Sequence, residues 1–419
     1  MSLKTTLYQH YFKNVYLQRT ERAHAQRVMD VRRRGHANVV FILSSLSMWR
    51  CQRLYDLLAS DSRFSPYLIL YPFPNYTEEE RASSIVQLQK YLKDRGISGF
   101  DLSREASPGS FLKSRFDPDI IFYPQPYNEL FSNDLDSLYF EDRLLCYVPY
   151  GCNVISESWP FSQRFSNIAW RLFYSSNEDG QVAQSSALNK GKNVKVVGFT
   201  AFDQFADSGH TIQWKKQECD KKKVIWAPHY SITDTGPIQH GSFLEIYDTM
   251  LEMARQFQTD IQFVFKPHPR LLSELYEYPG WGKERTDNYY RCWKDGANTQ
   301  LVTGDYVDLF LSSDAMIHDS VSFMAEYHFS HQPALYTTGD VQQTKRQLNE
   351  LGKRAIDAHY LGKQKSEIIS FLENVVLGGE DPLRNKRLAF YNDYLIPPGG
   401  KSVAEIIYED LIESLKLNG

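Results

Sequence analysis

The chain reads as an α/β protein made of two doubly wound domains, with a basic helix in front. Three observations point there. Short apolar runs such as VVFIL (39–43), DIIFY (119–123) and LLCYV (144–148) show little alternation, the mark of parallel strands covered on both faces. Those runs alternate with helical stretches along the whole chain. At 419 residues the chain exceeds one ordinary core, and the polar, lysine-rich stretch 207–222 separates two halves without any apolar period.

Composition narrows the class. With 42% apolar and 23% charged residues the profile is that of a soluble globular protein. A net charge of −4 argues against a general nucleic-acid binder. The average hides an asymmetry: residues 1–36 hold eight Lys and Arg against Glu21 and Asp30, a net +6 that leaves −10 elsewhere. Five cysteines without CxxC spacing suit free thiols in a reducing compartment. No run of 18 apolar residues and no signal-type leader is present, so the expected location is cytoplasmic.

In chain order, 1–36 forms the basic helix, closed by Arg32-Arg33-Arg34-Gly35, cations and a glycine at a helix's negative end. It either packs on the first domain with its charges solvated or lies on an anionic membrane surface through residues 1–34. The first domain, 37–206, takes strands at 39–43, 67–71, 119–123, 144–148 and 193–198, with helices at 48–59 and 78–95. After the linker at 207–222, the second domain, 223–400, takes strands at 224–227, 261–265, 315–317 and 334–336. The apolar positions 243, 244, 247, 250, 251, 254 and 257 define an amphipathic helix covering its sheet. Helices are also expected at 322–329 and 365–376, and a final one, 401–419, crosses back to the first domain. Two such domains on one linker are expected to face each other across a cleft.

Three strand ends in the second half carry the chemistry. VIWA runs into Pro228-His229-Tyr230-Ser231; QFVF runs into Lys266-Pro-His268-Pro-Arg270; AMI runs into His318-Asp319-Ser320-Val-Ser322 and then Glu326. Proline ends each of the first two strands. The carboxyl edge of an open α/β sheet is where ligands bind. A lysine, an arginine and a serine-rich helix start on that edge suit a diphosphate, with Lys266, Arg270, Asp319, Ser320 and Ser322 as its contacts. Glu326 and His318 are placed to accept ribose or polyol hydroxyls. Asp319 and Ser320 also suit simple helix capping.

These segments resemble the CDP-glycerol glycerophosphotransferase family, which includes teichoic-acid primases and polymerases. The resemblance rests on VIWAPHYS, FVFKPHP and DLFLSSDAMIHDSVSFMAEYHFSHQPALY and covers about residues 190–340. The family's last motif is a Thr-Asp-Tyr-Ser-Ser run followed by Phe-Asp-Tyr and a Lys-Pro. Asp319 matches its Asp, Ser322 its second Ser, Glu326 its later acid and Gln332-Pro333 its Lys-Pro. Val197-Gly198 through Asp203 looks like the family's Gly-x-x-Arg-x-Asp segment without the Arg. The resemblance implies a GT-B fold of two Rossmann-like domains, a donor held mainly by the second, and no metal.

The first half departs from that pattern. Where the family has Trp-His-Gly-Thr, this chain has Tyr147-Val148-Pro149-Tyr150-Gly151, with Tyr150 at the histidine taken as base. A phenol with an unperturbed pKa of about 10 is a poor base at neutral pH. The resemblance implies transfer of a polyol phosphate from a CDP-linked donor to a glycan or lipid-linked acceptor, with His268, His229 and Tyr150 as catalytic candidates and no nucleic-acid partner. A transferase using a nucleotide-sugar donor, or a non-catalytic scaffold in envelope assembly, fits the same residues.

Overall fold

The computed structural model describes residues 15–127, 131, 134–207, 214–232, 241–304 and 306–417. The chain forms two compact units. Unit 1 takes 1–151, 157–203 and 397–419; unit 2 takes 152–156 and 204–396. Each is a Rossmann-like α/β domain.

Unit 1 holds a seven-stranded sheet of β1 (Ala37–Leu43), β2 (Phe64–Leu70), β3 (Gly99–Asp101), β4 (Ile120–Tyr123), β5 (Leu144–Tyr147), β6 (Arg171–Tyr174) and β7 (Val194–Val196). Its order is β3-β2-β1-β4-β5-β6-β7, and every pair is parallel. The strand pleat explains the continuous apolar runs. Val39, Phe41 and Leu43 face one core layer while Val40 and Ile42 face the other. Ile120 and Phe122 divide from Ile121 and Tyr123 in the same way, so both faces are covered and no polar alternation survives.

The basic segment forms a helix over Leu17–Arg34, ending at Gly35 in the left-handed region (φ 68°). The portion of the expected helix before residue 15 lies outside the described residues. The helix is clamped to the sheet by Asp119, which is fully buried just ahead of β4. Its carboxylate accepts from Arg34 at 2.6 Å, from Arg27 at 3.4 Å and from the Asn38 backbone N–H at 2.9 Å. Part of the positive charge is thus turned inward to a buried anion rather than being solvated. Arg22, Met29, Arg32 and Arg33 remain on the exposed side.

The C-terminal helix, Val403–Leu415, buries Val403, Ala404, Ile407, Leu411 and Leu415 in the unit 1 core. Its start is fixed twice: Ser402 and Glu405 form a capping box, and Asp203 accepts the backbone N–H groups of Val403 (2.9 Å) and Ala404 (2.8 Å). Five residues before that aspartate, Gly198 has φ 87°, and a Cβ there would lie 2.7 Å from the Cα of Pro397. The Gly198 and Asp203 pair therefore docks the returning chain, a structural reason for that spacing.

Unit 2 holds β8 (Lys222–Ala227), β9 (Ile261–Phe265), β10 (Thr299–Leu301), β11 (Ala315–His318), β12 (Ala334–Tyr336) and β13 (Tyr360–Leu361), in the order β10-β9-β8-β11-β12-β13, again all parallel. The helix Phe243–Gln256 lays Phe243, Ile246, Met250, Met253 and Ala254 on this sheet beside Trp226 and Phe265. Strand order reverses between β8 and β11. In a sheet of this kind the crevice beyond the carboxyl ends at that reversal is the ligand position. No helix among the described residues is long and apolar enough to cross a membrane.

Candidate functional site

The two strands that flank the reversal in unit 2 end at Pro228-His229 and at Asp319-Ser320, and the neighbouring β9 ends at Lys266-Pro-His268. Parallel pairing continues past the strand ends. The Lys266 N–H donates to the Trp226 carbonyl at 2.8 Å, and the His268 N–H to the Pro228 carbonyl at 3.0 Å. This sets the two histidines side by side, with ring centres 5.2 Å apart. Tyr230 packs on both rings, at 4.3 Å from His229 and 4.5 Å from His268.

Each histidine has a defined tautomer. The Arg270 backbone N–H donates to Nδ1 of His268 at 3.1 Å, and the Ser231 backbone N–H donates to Nδ1 of His229 at 3.3 Å. A backbone amide can only donate, so both Nδ1 atoms are acceptors and both ring protons sit on Nε2. Burial first, and then His229, Arg270 and Lys266, lower the His268 pKa to about 3. His268 is accordingly a neutral N–H donor rather than a third cation in the turn.

The cations differ in kind. Lys266 is 4% exposed, and its ammonium lies 6.0 Å from the ring centre of Tyr306. Arg270 is exposed, stacks over the Tyr230 ring at 4.1 Å and pairs with Glu274 at 2.7 Å. Its stacking leaves it on the outer edge of the site.

Asp319 is 1% exposed, and its carboxylate organises the edge. One oxygen accepts the His229 N–H at 2.6 Å; the other accepts both the N–H (2.6 Å) and the hydroxyl (2.9 Å) of Ser242. Burial raises its pKa to about 6 against the pull of those hydrogen bonds. It was expected to face the diphosphate or cap the helix. The structure instead turns it inward, because its acceptor capacity satisfies backbone donors at the end of β8 and at Ser242. The cap of the Val321–Glu326 helix is Ser320, whose side chain makes no capping bond, and Ser322 is exposed on the first turn.

His318 also departs from its expected place near a ribose or polyol. It is fully buried: Nδ1 meets the Ser320 carbonyl at 3.1 Å and Nε2 meets Nε2 of His359 at 3.1 Å. His328 meets His359 edge to face, with ring centres 4.8 Å apart, completing a buried histidine cluster. Both ring nitrogens of His318 are occupied by protein, which leaves none for a ligand.

Glu326, 1% exposed, accepts a hydrogen bond from the Tyr306 hydroxyl. Tyr306 thus stands between Lys266 and Glu326, and sequence reasoning missed it. The available signal was its position five residues beyond β10, the same strand-end placement as the other three clusters. That strand is short and half-buried, without an apolar run to announce it. Tyr150, 40% exposed, belongs to unit 1, three residues beyond β5. Among the described residues no group of three His, Cys, Asp or Glu is arranged to hold a metal ion.

No family model matches the chain, and no curated protein matches it in sequence. Solved structures do match. The H444N variant of the wall teichoic acid polymerase TagF aligns with a TM-score of 0.58 at 13% identity, over 99% of this chain and 98% of the other. A putative UDP-N-acetylglucosamine 2-epimerase from Listeria monocytogenes aligns at 0.58 and 14% identity over 92% and 98%. The UDP-GlcNAc 2-epimerase of Neisseria meningitidis, bound to UDP-GlcNAc, aligns at 0.57 and 16% identity over 90% and 99%. The fold is of the GT-B type. At these identities the GT-B likeness establishes architecture, and the chemistry rests on the residues above.

Proposed function

We propose that this GT-B protein is a transferase that moves a glycerol-phosphate or related polyol-phosphate unit from a CDP-linked donor to a hydroxyl of a cell-surface glycan or lipid-linked precursor. The carrying observation is the convergence of His229, Lys266, His268 and the Ser320–Ser322 turn at the strand reversal of unit 2. The oxygen of the acceptor hydroxyl attacks the donor phosphorus distal to the nucleoside, and its proton is released to solvent. The bond from that phosphorus to the bridging oxygen breaks, and CMP leaves with it. Lys266 neutralises the diphosphate, helped at the rim by Arg270 and by Ser320 and Ser322. The Nε2–H groups of His268 and His229 are directed hydrogen-bond donors for the leaving phosphate, and Glu326, held by Tyr306, takes donor hydroxyls. Tyr150 is a substrate contact in this reading, and charge neutralisation is assigned to side chains without a metal.

The likeness to a teichoic acid polymerase supports this reading. The likeness to UDP-GlcNAc 2-epimerases supports a second, a transferase with a nucleotide-sugar donor at the same edge. A donor panel separates them. Purified protein is tested with CDP-glycerol, CDP-ribitol and UDP-sugars for thermal stabilisation and for nucleotide release. A donor at one hundred times its Kd adds about 2.7 kcal/mol. Response to UDP-sugars alone rejects the polyol-phosphate reading, and response to no nucleotide points to the scaffold. We place the protein at the cytoplasmic face of the membrane, with the exposed Arg22, Arg32 and Arg33 of the first helix meeting anionic lipid.

A further inference from the structure

We infer that unit 1 carries a carbohydrate platform built on Trp159, Tyr127 and Tyr150, which binds a neutral pyranose ring of the acceptor. The word acceptor rests on the function proposed above; the platform itself does not.

The sheet brings the parts together. β4 and β5 are paired neighbours with Tyr123 opposite Tyr147, so the loops leaving their carboxyl ends emerge side by side. Tyr127 lies on the first of these loops and Tyr150 on the second. Trp159 opens the short helix Trp159–Ser162. Its indole stacks on the Tyr127 ring with centres 5.1 Å apart and planes at 21°. The indole N–H donates to the Glu157 carboxylate at 2.8 Å, which fixes the rotation of the ring. One face is thus used by Tyr127, yet Trp159 is still 45% exposed and Tyr150 40%. The other described tryptophans are not exposed in this way.

The surroundings are phenolic. Burial first, then the phenols of Tyr174, Tyr150 and Tyr127, hold the Tyr147 hydroxyl well above its ordinary range. Burial, Glu80 and Tyr150 likewise raise that of Tyr76. The phenols of Tyr127 and Tyr150 therefore both lie close to the buried Tyr147 hydroxyl, and Tyr127 carries the exposed indole face of Trp159. Such a face packs against the C–H side of a sugar, while carboxylate and phenol edges exchange hydrogen bonds with its hydroxyls. Holding the ring in place beforehand removes ordering cost from weak polar binding.

The charge of Glu157 selects among occupants. A nucleotide or a chain of glycerol phosphates would bring negative charge beside this carboxylate, at a penalty a neutral sugar avoids. A protein partner commonly needs about 800 Å² per side, far more than these rings offer. The occupant that fits is a neutral ring at the end of a glycan, rather than a growing polyanion.

The test uses the full-length protein without donor. Saturation-transfer NMR and tryptophan fluorescence follow titrations with methyl glycosides of glucose and N-acetylglucosamine, and with glycerol 3-phosphate. The wild type is expected to bind at least one glycoside more tightly than glycerol 3-phosphate. Trp159→Ala weakens that binding tenfold or more, and Trp159→Phe by less. Near-UV circular dichroism and thermal unfolding report whether the variants are folded. Equal glycoside binding by folded Trp159→Ala, no glycoside binding by the wild type, or a preference for glycerol 3-phosphate each overturns the inference. Because no nucleotide is present, failure of the CDP-donor reading leaves this result standing, and the converse holds.

Discussion

Asp319 and His229 are joined by a 2.6 Å hydrogen bond from the backbone N–H of the histidine to a buried carboxylate oxygen. That single bond ties the end of β11 to the end of β8 across the strand reversal, where the donor is proposed to sit. The geometry of the edge therefore depends on a buried carboxylate whose two oxygens accept from His229 and Ser242.

Asp319→Ala removes the acceptor for three donors and leaves two backbone N–H groups buried without partners. We expect a loss of unfolding free energy on the order of 3 kcal/mol, since each such group costs roughly 1–3 kcal/mol. Asp319→Asn keeps the shape but turns an NH₂ toward at least one N–H, so it is expected to be destabilised as well. Urea denaturation followed by tryptophan fluorescence measures both; a midpoint unchanged from wild type for the alanine variant contradicts the assigned role.

The tautomer of His268 predicts a graded series. Glutamine can place an N–H near the position of Nε2, whereas alanine cannot. His268→Ala is expected to lower CMP release about a hundredfold or more, the usual effect of deleting one oriented donor, with His268→Gln retaining more activity. Equal rates for the two variants would remove the Nε2–H from the mechanism.

The buried histidines make unit 2 acid-sensitive. Burial first lowers the His359 pKa to about 4 and drives those of His318 and His328 well below the ordinary value of 6.5. Between the folded and unfolded values the unfolded chain binds more protons. Their contribution is complete above pH 6.5 and declines as pH falls toward 4, by about 1.4 kcal/mol per pH unit for each histidine. Asp319 acts oppositely: its pKa, raised from 3.8 to about 6, makes its contribution larger as pH falls through that range. One carboxylate against three histidines leaves a net loss. Denaturation midpoints at pH 7.5, 6 and 5 should descend; a flat series refutes the prediction.

The membrane proposal is best tested without deleting the first helix, because deletion would strip Arg27 and Arg34 from the buried Asp119. Removing one side of a buried ion pair typically costs 3–5 kcal/mol and would confuse unfolding with detachment. Arg22→Glu, Arg32→Glu and Arg33→Glu together alter only the exposed side. Sedimentation with vesicles containing phosphatidylserine should fall for this variant and fall for the wild type at high salt. Unchanged partitioning of the triple variant sinks the idea.

The two parallel sheets were legible because doubly buried strands leave unbroken apolar runs, as at Val39–Leu43 and Ile261–Phe265. Four strands escaped, and β6 did so although it carries the buried run Leu172-Phe173-Tyr174; the other three lack such runs. β3 is Gly99–Asp101 with its ends exposed, β13 is two residues long, and β10 is half-buried. At the site, the Pro-His turns could be read from their residues. The fate of His318 could not, since its partner His359 lies 41 residues further along and is met only in the folded chain. Asp319 deceived for a related reason: whether a carboxylate faces ligand or backbone depends on Ser242, a residue no local pattern connects to it.

The clasp formed by Gly198, Asp203 and the Val403–Leu415 helix has a consequence for synthesis on the ribosome. Residues 204–396 are complete, and free to fold, before the segment that finishes the first core has been made. Domains usually mature from the amino end as they emerge. Here the order reverses: unit 1 waits, with the seat for Ile407, Leu411 and Leu415 uncovered, until the Val403–Leu415 helix has left the exit tunnel. A chain stalled or terminated before that helix would therefore present a finished unit 2 with an unfinished unit 1, a form for chaperones or proteases to find.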